Sequence, residues 1–262
     1  MENNQTQTVE QKYKQLSDID HVLLRSGVYL GNMHNEVKTY NLFKPSDNKI
    51  VSIPDVGYNA GLLKLFDEII SNSVDAKISK TRLFDITEIN VNVNTNGTIS
   101  VSDNGGIPVV IHKEANKWLP TLIFGTMKTS SNYEGDREGA GLNGLGSKLT
   151  NIFSKRFEVE TCDGKNKINV QWSNNMKTID HETVTKTKEH YTKTTFEIEL
   201  ARFEIEKLDT ATVRIIQKRC IDAAACNLGL KVNFTSNAFD GKLDSSWVFN
   251  SFNEFVKLHV NS

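Results

Sequence analysis

The chain has little cysteine: Cys162, Cys220 and Cys226 are its only three, and their spacing forms neither a Cys-x-x-Cys pair nor a zinc set. The odd count argues against a secreted disulfide framework and fits a reducing cytoplasm. Charge of one sign is also lacking. Thirty-one basic residues face thirty-two acidic ones, so the net charge of −1 gives no global attraction to nucleic acid or membrane. No apolar run approaches the ~18 residues of a membrane span, and the polar opening, residues 1–15, has no signal-peptide core. There are four prolines and no internal repeat, so nothing splits the 262 residues into separate units. What is present is a 38% apolar content, sufficient for the core of one α+β domain.

Residues 1–20 read as an N-terminal arm, partly flexible and rich in Gln, Asn and Thr, with Tyr13 as a large anchor; residues 21–262 read as the domain. A short helix is expected from Asp18 to Leu24, then a turn at Ser26 and Gly27, a brief strand over Val28, Tyr29 and Leu30, and loop or irregular strand over 35–57. Leu62, Leu65, Phe66, Ile69 and Ile70 recur at helical spacing and predict a helix over 61–80. Ile89, Val91 and Val93 alternate with Asn, Asn96-Gly97 supplies a turn, and Ile99 and Val101 alternate again, which predicts a hairpin. The glycine-rich stretch 125–147 reads as a long functional loop or lid feeding a helix. Phe157–Thr161 and Ile168–Trp172 form a second hairpin around Asp163-Gly164, and Thr195–Leu200 reads as another strand. Thr210 is expected to cap a helix running to about Asn227 and closed by Gly229; Ser251 and Glu254 are expected to form a capping box for a final short helix.

Three segments carry chemistry. Stepped at roughly 100° per residue, Glu68, Asn72 and Asp75 fall within a stripe about 60° wide bordering the apolar face of Leu65 and Ile69, so all three are expected to be half-buried. A Glu there can take a proton from water, and an Asn one turn on can offer its carbonyl oxygen to Mg²⁺. In Asp103-Asn104-Gly105-Gly106-Ile107 a strand runs into an Asp that can accept from an amino group such as that of adenine, with glycines allowing close approach to a flat ligand. In Gly139-Ala140-Gly141-Leu142-Asn143-Gly144-Leu145-Gly146-Ser147-Lys148 glycines precede a helix start, where backbone N–H groups and the Lys148 charge suit phosphate. It is not a P-loop, because Ser147 separates Gly146 from Lys148. Taken singly, each segment also fits a plain amphipathic edge, an ordinary turn or a flexible linker.

The order of these segments along the chain is more specific than any of them. Together they resemble the GHKL ATPase superfamily, whose fold is a two-layer α+β sandwich with a mixed, mostly antiparallel sheet and helices on one face. Arg25-Ser26-Gly27-Val28-Tyr29-Leu30-Gly31, Phe66-Asp67-Glu68-Ile69-Ile70, Thr129-Ser130-Ser131-Asn132-Tyr133, the run Gly141–Ser154 and Tyr191–Phe196 narrow the resemblance to type II DNA topoisomerases of the eukaryotic kind and their viral relatives. The resemblance implies ATP and Mg²⁺ as ligands, with Glu68 as general base and Asn72 as Mg²⁺ ligand. Asp103 would read the adenine amino group, with Thr195 supporting the adenine side, and Asp75, Gly105 and Ile107 would also bind ATP. Ser130, Ser131 and Asn132 would contact ribose and phosphates, and Gly141, Asn143, Gly144, Leu145, Gly146, Ser147 and Lys148 would wrap the triphosphate. Tyr13 would reach the nucleotide of a second copy when ATP closes a homodimer. Two positions depart from the family pattern: the Asp-x-Gly-x-Gly box is one residue short, and Leu142 stands where Arg is common.

The resemblance further implies a fragment of a larger enzyme, without transducer and DNA-cleaving core. It would turn over slowly, act on DNA only through the full-length enzyme, and use ATP as a removable clamp between subunits in the cytoplasm. The Asn- and Lys-rich composition points to a bacteriophage or other virus, of T-even-like type, and hence to a host cytoplasm. Within the fold, ninety-kilodalton heat-shock chaperones and MutL proteins share the pocket but lack the Thr-Ser-Ser-Asn-Tyr loop. A non-hydrolysing nucleotide-binding module is the alternative from another class, and the presence of Glu68 argues against it.

Overall fold

A computed structural model describes residues 15–127, 144–239 and 241–260. An eight-stranded sheet dominates it, built from strands β3 (Glu88–Val93), β4 (Thr98–Asp103), β7 (Ser154–Asp163), β8 (Asn166–Ser173), β9 (Thr178–Lys186), β10 (His190–Ile198), β11 (Lys231–Phe239) and β12 (Gly241–Trp247). Their order is β12-β11-β3-β4-β10-β7-β8-β9, with β11/β3 the parallel pair and the others antiparallel.

Register makes this sheet two-faced. Val91 pairs with Val101, Val101 with Thr194, and Thr194 with Val159; one step along, Ile99, Phe196, Phe157 and Trp172 make the next row. These rows are buried, whereas Asn90, Asn92, Ser100, Ser102 and Glu158 lie on the other face. The period-two pattern of the sequence therefore turns one face inward. Trp172 is 1% exposed and meets the Phe157 ring edge-on at 6.0 Å, a buried aromatic pair of the kind that adds ~0.5–1.5 kcal/mol beyond its area.

Helices cover the apolar face. The longest are α3 (Ala60–Ile78) and α6 (Thr210–Cys226), with the short α5 (Gly146–Ile152) packed on α3. Helix α3 starts where Asn59 Oδ1 accepts from the Leu62 amide at 3.0 Å, and it buries Leu62, Leu65, Phe66, Ile69 and Ile70, as its helical spacing predicts. The remaining elements are α1 (Asp18–Leu24), α2 (Ser26–Leu30), β1 (Asn35–Lys44), β2 (Lys49–Asn59), β5 (Ile111–His112), β6 (Lys117–Trp118), α4 (Leu119–Gly125) and α7 (Phe252–Val256), with a 3₁₀ turn at Leu200–Phe203.

Helix α1 stands as expected over Asp18–Leu24, where it buries Val22. Several expectations are corrected. Val28, Tyr29 and Leu30 are helical: Ser26 Oγ donates to the Leu23 carbonyl at 2.8 Å, Leu30 is buried, and Gly31 stops the turn with φ +79°. Residues 35–57 lie in an antiparallel ribbon, β1 with β2. Its register shifts between Lys38 and Tyr40 and its buried residues do not alternate, so of the two readings, loop or irregular strand, the second is what forms. Strands β9, β11 and β12 went unread; every residue of β9 is exposed, so nothing in its pattern marks a core face. Asp209, not Thr210, caps α6, accepting from the Thr212 amide at 2.7 Å. No capping box forms at α7: Ser251 makes no side-chain cap, and Glu254 Oε2 accepts instead from the Asn250 amide at 3.0 Å.

Candidate active site

The site lies along α3, between the end of β4 and the start of α5. At the β4 end, Asp103 terminates an inward row of the sheet and is 6% exposed. Its Oδ2 accepts from Ser73 Oγ at 2.7 Å and its Oδ1 from the Gly105 amide at 3.0 Å. Burial raises the Asp103 carboxyl above its ordinary range, and those two hydrogen bonds oppose the shift. Beside it, Thr192 and Thr161 share a hydrogen bond of 2.9 Å on the same face, and Thr161 Oγ1 accepts from the Ile107 amide at 3.0 Å.

The glycines here serve the protein's own close approaches. A Cβ on Gly106 would stand 2.2 Å from the Cys162 carbonyl oxygen, and one on Gly105 would stand 2.8 Å from Ile86 and 2.9 Å from Asp103 Oδ1. The doubled glycine thus lets the chain cross the end of β7, a role the sequence reading had given to an approaching ligand.

Along α3 the expected stripe is present with one difference. Glu68 and Asp75 are half-buried, whereas Asn72 is exposed. The buried polar side chain of this helix is Ser73, on its apolar face between Ile69 and Phe66, which sequence reasoning missed because a lone Ser in a helix carries no signal without its partner Asp103. The Glu68 side chain, 22% exposed, is ion-paired with Lys64 one turn earlier.

At the α5 end, Gly144 adopts φ +59°, a conformation that favours glycine, and Gly146 opens the helix. A Cβ on Gly146 would lie 1.8 Å from Glu68 Oε2, so the carboxylate rests against the glycine α-carbon. Thr150 Oγ1 donates to the Leu65 carbonyl at 3.0 Å and fixes α5 on α3. Ser147 is buried. Lys148 is 1% exposed and its ammonium donates to the Gly144 carbonyl; burial pushes its pKa down to about 8. Leu145, the residue before α5, offers no side-chain cap.

The structure therefore brings Glu68, Asp75, Asp103, Gly105 and Ile107 together with Gly144, Leu145, Gly146, Ser147 and Lys148 around one helix. Thr195 is not among them. It pairs with Ser100 and Glu158 on the opposite face of the sheet; Thr194 and Thr192 are the threonines of β10 on the Asp103 face, and Thr192 is the one opposite Asp103. The alternation of Phe196-Glu197-Ile198 already carries Thr194 and Thr192 onto the buried face and Thr195 onto the other. Tyr13, Ser130, Ser131, Asn132, Gly141, Leu142 and Asn143 lie outside the described residues.

A glycine-opened helix laid on an acid-bearing helix, with a buried Asp at the adjoining strand end, defines a nucleotide-binding ATPase site of the GHKL class. Residues 57–204 match the family of histidine kinase-, DNA gyrase B- and HSP90-like ATPases, and the chain belongs to that family. It is 35% identical over 264 residues to DNA topoisomerase 2 of Bombyx mori, covering 96% of this chain and 16% of that protein. It is 39% identical over 228 residues to DNA topoisomerase 2 of Pisum sativum, covering 84% of this chain and 15% of that one. The chain thus spans less than a fifth of these relatives. Among solved structures, it superimposes on the ATPase region of Saccharomyces cerevisiae topoisomerase II bound to ICRF-187 with a TM-score of 0.85 at 31% identity, covering 96% of this chain and 65% of that one. The 43K ATPase domain of Thermus thermophilus gyrase B, at 22% identity and a TM-score of 0.62, shares the fold.

Proposed function

We propose that this chain is the ATP-binding and ATP-hydrolysing region of a type II DNA topoisomerase, in which bound ATP closes a gate between two copies and hydrolysis reopens it. The observation that carries the proposal is the Glu68 carboxylate, held on α3 and seated against the first residue of the glycine-opened helix α5. In this reading Glu68 takes a proton from the attacking water as the water oxygen bonds to the γ-phosphorus. The bond from that phosphorus to the bridging oxygen breaks, and the electron pair leaves on ADP.

Asp103 would accept from the adenine amino group. Both its oxygens already serve Ser73 and Gly105, but a carboxylate has about four acceptor positions, so room remains. Thr192 sits beside it as the supporting hydroxyl on that face. Mg²⁺ would neutralise phosphate charge when bound. The exposed amide of Asn72, one turn after Glu68, would hold it through its carbonyl oxygen. Ser130, Ser131, Asn132, Gly141 and Asn143 are proposed to complete the ribose and phosphate contacts, and Tyr13 to reach across the closed dimer. The remainder of the topoisomerase subunit would supply DNA binding and cleavage, in a cytoplasmic setting; no described helix is long and apolar enough to cross a membrane.

Calorimetric titration with a non-hydrolysable ATP analogue, with and without Mg²⁺, tests the assignment together with phosphate release from ATP. Saturable, Mg²⁺-dependent binding with slow release is expected. Absence of binding, or binding unaffected by Asp103→Ala, overturns it.

A further inference from the structure

Lys64 stands one turn before Glu68 on α3, and stepping at 100° per residue places Lys64, Asp75, Glu68 and Asn72 within about 80° of one another. Its ammonium is paired with Glu68 Oε1, while Oε2 abuts Gly146. The two oxygens are therefore held from opposite sides, one by a cation and one by the glycine α-carbon. The adjacent acid, Asp67, turns to Arg219 of α6 at 3.3 Å and feels Lys64 only through its field, so the direct ion pair of Lys64 is with Glu68.

An exposed pair one turn apart is common on helices and supports them only weakly. This pair is arranged against that purpose. The cation precedes the acid, the less favourable order for a helix pair. Helix stability is therefore a weak account of Lys64, whereas it is placed to fix a carboxylate that otherwise samples several rotamers.

We propose that Lys64 is a positioning residue for Glu68: it anchors one carboxylate oxygen so that the other is presented at the start of the glycine-opened helix. The proposal rests on Glu68 being the base. It adds a requirement the base assignment does not contain, namely that a side-chain cation one turn upstream sets the carboxylate's direction.

The test compares Lys64→Met, Lys64→Arg, Glu68→Gln and the Lys64→Met/Glu68→Gln pair, using single-turnover hydrolysis of labelled ATP, steady-state kcat and KM, and analogue affinity. Lys64→Met should lower kcat by about 10- to 100-fold, the scale of a misplaced catalytic group, with analogue affinity within about 2-fold. Lys64→Arg should restore the rate to within about 3-fold, and the double variant should be no slower than Glu68→Gln, because a positioning residue has nothing left to position. If Glu68→Gln loses hydrolysis but Lys64→Met does not, or if Lys64→Met slows the Glu68→Gln variant further, this inference is wrong and the base assignment stands. If Glu68→Gln itself hydrolyses like wild type, the base assignment is what fails. Lys64→Met melting far below wild type, or losing analogue affinity in step with kcat/KM, would make Lys64 a structural or nucleotide-binding residue and also overturn the proposal.

Discussion

The two ends of the α3 edge are built differently. At the Asp103 end the groups are partnered within the protein: buried Asp103 holds Ser73 and the Gly105 amide, and beside it buried Thr161 pairs with half-buried Thr192. At the Glu68 end the carboxylate is partly exposed, held by one ion pair and one glycine contact, and Asn72 one turn on faces solvent. Base recognition asks for a fixed pattern of acceptors and can be set into the core. Proton transfer asks for a group that water can reach, and so sits at the rim.

Substitutions at the two ends should therefore separate binding from turnover. The largest effect is expected for Glu68→Gln, with hydrolysis reduced about 10²- to 10⁴-fold and nucleotide affinity nearly unchanged, read by phosphate release and calorimetry. Gly146→Ala follows: its Cβ would occupy the place of Glu68 Oε2, and the carboxylate must move. Hydrolysis should fall by about 10²-fold, and the loss should not add to that of Glu68→Gln. Asp103→Ala should act in the opposite sense, weakening analogue binding and, by stranding Ser73 and the Gly105 amide, costing about 1–3 kcal/mol in urea denaturation.

The smallest effect is a pH dependence from Lys148. Burial lowers its pKa to about 8, so the charged form is disfavoured in the folded, nucleotide-free protein; the cost is present below that pH and is relieved as pH rises toward the ordinary lysine value. From pH 7 to 10, wild type should gain on Lys148→Met by about 1–3 kcal/mol in chemical denaturation. Analogue binding near pH 9 should take up a proton, visible as a calorimetric enthalpy that varies with buffer, since phosphate restores the ammonium. Lys148→Met should abolish that uptake.

Much of the fold and the site was legible because its signals are local. Helix α3 follows from five apolar residues at helical spacing, the β3–β4 hairpin from alternation around Asn96-Gly97, and the family from the order of an acid, an amide and glycines along the chain. What the sequence could not carry depends on which atoms meet across long separations. That Thr192 is the residue opposite Asp103 follows from the register between β10 and β4; that Ser73 partners Asp103 depends on how α3 lies across β4. Strand β9 needed the structure because an all-exposed strand has no buried face to leave a period-two trace, and the β1–β2 ribbon because its buried residues, among them the adjacent Leu42 and Phe43, do not alternate. The contact between Gly146 and the Glu68 carboxylate joins residues nearly eighty positions apart, and only the packing of α5 on α3 decides it. Sequence determined which chemical groups are available and in what order; tertiary structure determined which of them touch, because side-chain direction is fixed by register and packing rather than by identity.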